Sequence, residues 1–297
     1  MPEIERIGIP LLLTIFAIEL IVAITVQASK RIVKDMMANL AIGLSTLATG
    51  LFMKGVSFAF FSWVYKSAFF TPELSVGLWI AGFLSCDLVI YFYHLLGHKT
   101  RLFWAAHVTH HSSLEYNISV GFRVSCIHVL YRFLFWSPLC LFGIPPLMIL
   151  FFDSLTTLHN VLIHTERVGK LGVLDLVFNT PSNHRVHHAS NPQYLDKNMG
   201  GILIIYDRLF GTYAPEREKP VYGITHNIYT HNPVTILLHE YRDMFRQLLR
   251  IRGWKRKIRF LFSPPGDTIT TNNFSVPVNP ILPVTGNDMY HLKSSKL

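Results

Sequence analysis

Two stretches of the chain share the spacing H-x-x-H-H: His107, His110 and His111, and again His184, His187 and His188. On a helix, residues at i, i+3 and i+4 lie on one face within about one turn, so each stretch is expected to point three imidazoles at one small volume. Just upstream, His94 and His98 form a further i, i+4 pair, and His164 stands alone between the two triplets. Eleven of the 15 histidines fall between positions 94 and 188. Clustered neutral imidazoles cost desolvation energy and disfavour protons on one another unless a metal takes their lone pairs. The scattered His128, His226, His231, His239 and His291 are expected to be ordinary hydrogen-bonded residues.

Eight or nine imidazoles are too many for one metal and suit two. Structural zinc sites take four ligands and use thiolates as readily as histidines, whereas all-nitrogen ligation in one pocket suits a redox-active iron pair. Neutral ligands leave such a pair strongly cationic, which favours a high-valent oxidant able to take hydrogen from an unactivated C–H bond. Asn160, Glu166, Asp153 and Asn183 are the polar residues expected to orient imidazoles through their other nitrogen, with a capping or hydrogen-bonding role as the alternative for each.

The elements that must position these residues are apolar. Half of the 297 residues are hydrophobic and only 15% are charged, against roughly a quarter in soluble domains, so a membrane protein is expected. The net charge of +9 then speaks for anionic lipid head groups and against nucleic acid, because the basic residues flank apolar spans. Cys86, Cys126 and Cys140 sit in apolar context without C-x-x-C spacing and imply buried thiols.

The stretch from Ile7 to Gln27 is long enough to span a bilayer, and Lys30, Arg31 and Lys34 behind it place its far end in the cytoplasm. Further spans are expected at 39–65 and 78–96, which returns the chain to the cytoplasmic side at His94 and His98. The apolar stretch 127–163, broken at Gly143-Ile144-Pro145-Pro146, predicts a helical hairpin with two arms of about 18 residues that just cross, at 1.5 Å per residue. All four histidine elements then meet on one cytoplasmic face. A Ser or Asn cap within 179–183 is expected to start the helix of the second triplet. The segment His239–Phe260 is basic and amphipathic and is expected to lie on anionic lipid. The last 35 residues have the composition of a loosely held tail. The expected domains are transmembrane helices over 1–75, a catalytic domain over 76–245, and a basic interfacial segment with a tail over 246–297.

The set HxxxH, HxxHH and HxxHH, closing with Gly200-Gly201-Ile202-Leu203-Ile204-Ile205-Tyr206-Asp207-Arg208-Leu209-Phe210-Gly211-Thr212, resembles the fatty acid hydroxylase/sterol desaturase superfamily of integral-membrane di-iron oxygenases. Phe103–His107, His110–Ser113, Tyr116-Asn117, Ile163–Glu166, Asn179–Ser182, His184–His188 and Asp196–Asn198 are most similar to its alkylglycerol monooxygenase branch. The resemblance implies an all-α bundle of four to five spans, with a four-helix base and a cytosolic helical cap carrying two irons. It implies His94, His98, His107, His110, His111, His164, His184, His187 and His188 as ligands. Many members have another histidine four residues before the equivalent of His164, where this chain has Asn160 and where His159 is one place out of register; Asn160 or a water is expected there. The implied activity is hydroxylation of a membrane lipid with O2, ether-lipid cleavage first and sterol or fatty-acyl hydroxylation or desaturation second. The implied reductant is tetrahydrobiopterin or an external electron-transfer protein. No His-Pro-Gly-Gly haem motif occurs, so a separate donor is expected. A histidine-rich metal transporter, with ligands at mid-membrane depth, and a structural zinc protein are the rivals from other classes.

Overall fold

The computed structural model describes residues 3–26, 29–266, 270–271 and 274–275. Among them the regular elements are helices apart from one antiparallel pair of two-residue strands, Thr270–Thr271 and Phe274–Ser275, and two isolated bridges. The expectations for His291 and for most of the tail lie outside the described residues.

Three helices are long and apolar enough to cross a membrane: α1 (Glu3–Thr25), α2 (Lys30–Tyr65) and α3 (Val76–Lys99). The chain is a membrane protein by these spans. At 1.5 Å per residue, the 36 residues of α2 reach about 54 Å, well beyond a hydrocarbon core of about 30 Å. α3 begins where the Ser75 hydroxyl accepts the Leu78 N–H at 3.2 Å, an N-cap that satisfies one orphan donor. The hairpin over the 127–163 stretch is present as α5 (Cys126–Leu141) and α6 (Pro146–Leu162). Its arms have 16 and 17 residues instead of the expected 18, so each reaches about 24–26 Å and falls short of a full crossing. The turn between them holds Gly143 at φ +81°, where an added Cβ would lie 2.5 Å from the Phe70 carbonyl oxygen. Pro146 then takes the first helical position of α6, where a missing N–H costs nothing.

α2, α3, α5 and α6 share one core, with Phe61, Cys86, Trp136, Cys140 and Met148 at its centre. At the histidine end the short α4 (Arg101–His111) follows α3 directly. A buried polar knot ties that end together: Arg123 donates to Asp35 (3.1 Å) and Asn39 (2.8 Å) of α2, and to the Thr109 carbonyl (3.0 Å) and Ser112 hydroxyl of α4 and its cap. α7 (Pro181–His187) carries the second triplet, and α8 (Ile205–Phe210) follows it.

The second triplet's helix starts differently from expectation. Thr180, not Ser182 or Asn183, is the N-cap, its hydroxyl goes to Asp175, and Pro181 opens the helix. The expected single interfacial helix over 239–260 is two helices, α9 (Pro233–Arg250) and α10 (Trp254–Phe262), broken at Gly253 with φ +86°. Both pack one face on α4, through Ala105, Met244, Ile251 and Phe260, and the Arg101 guanidinium lies 4.3 Å over the Phe260 ring. α9 runs unbroken across the boundary expected at 245/246.

Arg123 is 1% exposed. Arg123→Met removes the guanidinium partner of the buried Asp35 carboxylate, leaving it His231 at 3.7 Å, and should cost about 3–5 kcal/mol of stability, read as a lower unfolding midpoint of the detergent-solubilised protein. Adding Asp35→Asn should recover part of the loss; a single variant that melts like the parent contradicts the knot.

Candidate metal centre

The nine histidines of the three motifs and His164 come together, but not triplet by triplet. The fold sorts them into two groups, each with its ligand nitrogens within 4.8 Å of one another: His94, His98, His107, His111 and His187 in one, and His110, His164, His184 and His188 in the other. Each H-x-x-H-H stretch gives its i, i+4 pair to one group and its middle histidine to the other. The expectation that a triplet serves one volume is thereby corrected. Successive helical residues differ by about 100° in direction, so His110 diverges from His111 across the boundary between the groups.

Four imidazoles have their Nδ1 held by an acceptor. His94 Nδ1 donates to the Met199 carbonyl at 2.9 Å, His187 Nδ1 to the Lys197 carbonyl at 2.9 Å, and His164 Nδ1 to the Asn160 carbonyl at 2.5 Å. His98 Nδ1 lies 3.3 Å from the Asp196 carboxylate. A carbonyl can only accept, so the proton sits on Nδ1 and the Nε2 lone pair is free for the group's centre. His98 Nε2 and His187 Nε2 are buried with no hydrogen-bond partner. Nε2 atoms also face one another at 3.0 Å between His94 and His107, His107 and His111, and His164 and His184. Orphaned, converging lone pairs fit a cation in each group.

One loop supplies most of the acceptors. Asp196 and Asn198 both adopt φ 57°, a left-handed conformation that Asp and Asn tolerate best after glycine. Asp207 accepts the N–H groups of Met199 and Gly200 at 2.7 Å each. Asp87, buried within α3, accepts those of Ile202 (2.8 Å) and Leu203 (3.0 Å). A side chain at Gly201 would place its Cβ 2.6 Å from the Asp87 carboxylate, so only glycine fits there.

The polar residues read as imidazole-orienting mostly do something else. Glu166 accepts from the Tyr222 hydroxyl, Asn183 donates to the carbonyls of Asp175 and Phe178, and Asp153 pairs with Arg132. Asn160 alone touches a clustered histidine, through its backbone carbonyl; its own Oδ1 is buried without a partner. His159 turns away to the Asn179 carbonyl. Asp196, Asp207 and Asp87 were the residues that spacing did not single out. Their signal was present: a carboxylate in an apolar span, as Asp87 is, marks a purpose by itself.

Against the histidines lies a cavity of about 380 Å³ between α1, α2, α5 and α6, lined by His94, His107, His110, His164 and His184 and by apolar side chains that include Phe61, Trp136 and Ile149. Its size falls within the range of small-molecule sites. Burial pushes the pKa of His107, His110, His111, His184, His187 and His188 well below 6.5, helped by the neighbouring imidazoles, and burial lowers that of His164 to about 4.

Two outcomes follow. A histidine whose folded pKa is depressed binds fewer protons folded than unfolded, so stability is full above about pH 6.5 and falls as the pH drops toward 4. Thermal unfolding of metal-free protein should show that slope; a flat profile contradicts a neutral, buried cluster. Asp196→Ala, which releases His98, should weaken metal retention about 10–100-fold in a chelator competition.

Residues 79–212 match the model of the fatty acid hydroxylase family. The chain is 33% identical over 268 residues to alkylglycerol monooxygenase of Homo sapiens, covering 89% of this chain and 60% of that protein. It is 36% identical over 238 residues to the Danio rerio protein of that name, covering 80% and 53%. To ornithine lipid hydroxylase OlsE of Rhizobium tropici it is 30% identical over 166 residues, 54% of this chain and 50% of that one. The chain thus spans about half to three fifths of the length of these curated relatives. No solved structure matches it significantly.

Proposed function

From a chain whose residues 79–212 belong to the fatty acid hydroxylase family, we propose a membrane oxygenase that inserts oxygen into a C–H bond of a lipid, with an alkylglycerol ether as the substrate. The single observation that carries this is the meeting of two all-imidazole groups with one largely apolar cavity among membrane helices. His94, His98, His107, His111 and His187 would hold one iron and His110, His164, His184 and His188 the other. Bound there, the pair supplies O2 activation and a two-electron oxidation.

The chain's own residues do the rest. Met199, Lys197 and Asn160 carbonyls keep Nδ1 protonated so that Nε2 can ligate. The group with four imidazoles gives three of them to the cavity wall, against two of five from the other, so the reacting carbon is held beside His110, His164 and His184. Asn160, also on that wall with a free Oδ1, occupies the place where a tenth ligand or its water would sit. The apolar walls from α1, α2, α5 and α6 take the alkyl chain and exclude water. Oxidation balances as one C–H and O2, with two electrons and two protons, giving a C–OH and water. Next to an ether oxygen the product is a hemiacetal, which collapses to an aldehyde and the free alcohol.

The electrons come from a separate donor, tetrahydrobiopterin or an electron-transfer protein. The histidine end faces the cytoplasm in this reading, supported by Lys30, Arg31 and Lys34 at the start of α2 and Lys99 at the end of α3. Contact with anionic lipid is supported by exposed Leu238, Phe245 and Leu249 on α9 beside Arg242, Arg246 and Arg250. Hydroxylation of an acyl chain is the second reading, favoured by the similarity to an ornithine lipid hydroxylase.

Iron-reconstituted protein in lipid, supplied with O2 and either a tetrahydropterin or reduced cytochrome b5 or ferredoxin, should release a fatty aldehyde from a long-chain 1-O-alkylglycerol. His107→Ala and His110→Ala should each lower turnover by at least about 100-fold, since ligands matter more than the 10–100-fold of their supporting partners. Hydroxylated acyl lipid without aldehyde moves the substrate to the second reading; no oxidised lipid with any donor refutes the oxygenase.

A further inference from the structure

The histidine domain carries an apolar outer wall that its own packing does not cover. Residues 171–178 and 202–210 are sewn together: the Ile204 N–H donates to the Val177 carbonyl (3.0 Å), the Asn179 N–H to that of Ile202 (2.8 Å), and Phe178 and Leu203 form an antiparallel bridge. The outward side of this unit consists of Leu171, Val173, Leu174, Leu176, Leu209 and Phe210, with Val173 76% and Leu209 70% exposed. The charged groups within it have local partners, and of them Arg208 is itself exposed. Asp175 accepts the Leu171 N–H, Asp207 is buried, and the Arg208 guanidinium lies 3.9 Å over the Tyr213 ring. Contiguous apolar surface of this kind marks an interaction site.

What it meets is indicated by what it is fastened to. The unit is not held out toward the polar end of the molecule; it is clamped along the spanning helix α3. Asp87 takes the Ile202 and Leu203 N–H groups, the Tyr206 hydroxyl donates to the Leu84 carbonyl at 2.8 Å, and Phe210 stacks on Tyr91 at 5.3 Å. Leu84 precedes Lys99 by 15 residues, about 22 Å along the helix, most of the way through a core of about 30 Å. On α3 itself Leu84 and Phe92 are exposed beside these contacts, so the apolar wall continues the lipid-facing side of a membrane span.

We propose that the 171–178/202–210 unit is immersed in the acyl chains of the bilayer alongside α3. Its partner is lipid hydrocarbon. The segment runs through Asn179 and Thr180 directly into α7, which bears His184, His187 and His188, so the immersed wall hangs the histidine-bearing helix at the membrane surface. A lipid C–H bond then reaches the centre without leaving the bilayer. The inference needs α3 in the membrane and stands independently of the metal and of the reaction.

The test uses the full chain in phosphatidylcholine vesicles. A bilayer-soluble aryl diazirine is photolysed to a carbene, hydroxyl radicals are generated from water in a parallel sample, and both sets of adducts are mapped by mass spectrometry. Carbene adducts on 171–178 and 205–210 should match those at Phe52 of α2 and exceed those at exposed Tyr229 several-fold, with hydroxyl-radical adducts in the reverse order. Hydroxyl-radical adducts at Val173, Leu174 and Leu209 with carbene labelling at background would put the wall in water. Protection from both reagents would mean that protein, such as a second copy of the chain, covers it. Either result overturns the proposal.

Discussion

Nine buried imidazoles share one small space, and the architecture around them serves to keep their lone pairs pointing inward. Four of the rings, those of His94, His98, His164 and His187, have an acceptor behind Nδ1 to fix them. In a helical bundle most backbone carbonyls are committed to their own helices, and apart from the Asn160 carbonyl in the last turn of α6 the acceptors come from an irregular loop, 196–200, with two left-handed residues. A loop free to move would let the rings turn, and here two buried carboxylates stop it: Asp207 grips Met199 and Gly200, and Asp87 grips Ile202 and Leu203 from inside a spanning helix. The path from span to ligand is therefore short and made of charge-assisted bonds, the stronger kind.

The sorting of the histidines into five and four follows from the same geometry. An i, i+4 pair on one helix face makes two prongs of one group, and the residue before the last points about 100° away. Placing α4 and α7 against each other lets each helix serve both groups, which fastens the two groups side by side. That sharing explains why the pattern H-x-x-H-H occurs twice where two independent i, i+4 pairs would fill one site.

Much of this was readable from the sequence. The identity of the histidines, the three long spans and the hairpin with its Gly-Ile-Pro-Pro turn follow from periodicity and punctuation, which are local. What was not readable depends on contacts between distant residues. The partition of His110 from His111 needs the orientation of α7; Asp196 needs a left-handed turn to bring it to His98; Asp153 looked like a support for the histidines and instead pairs with Arg132 on the neighbouring helix. The segment 239–260 read as one amphipathic helix because hydrophobic spacing survives the break at Gly253, while the conformation of that glycine does not appear in any pattern of apolar residues.

The central claim is that two metal ions, held by five and four histidines, form one coupled centre. Metal content per chain on anaerobically handled, detergent-purified protein, paired with Mössbauer spectroscopy after iron enrichment, tests it most directly. The account predicts two irons per chain with the signature of a spin-coupled pair, falling toward one in His110→Ala. Protein that binds no metal under any loading condition while still folded, or one magnetically isolated iron per chain, would contradict it.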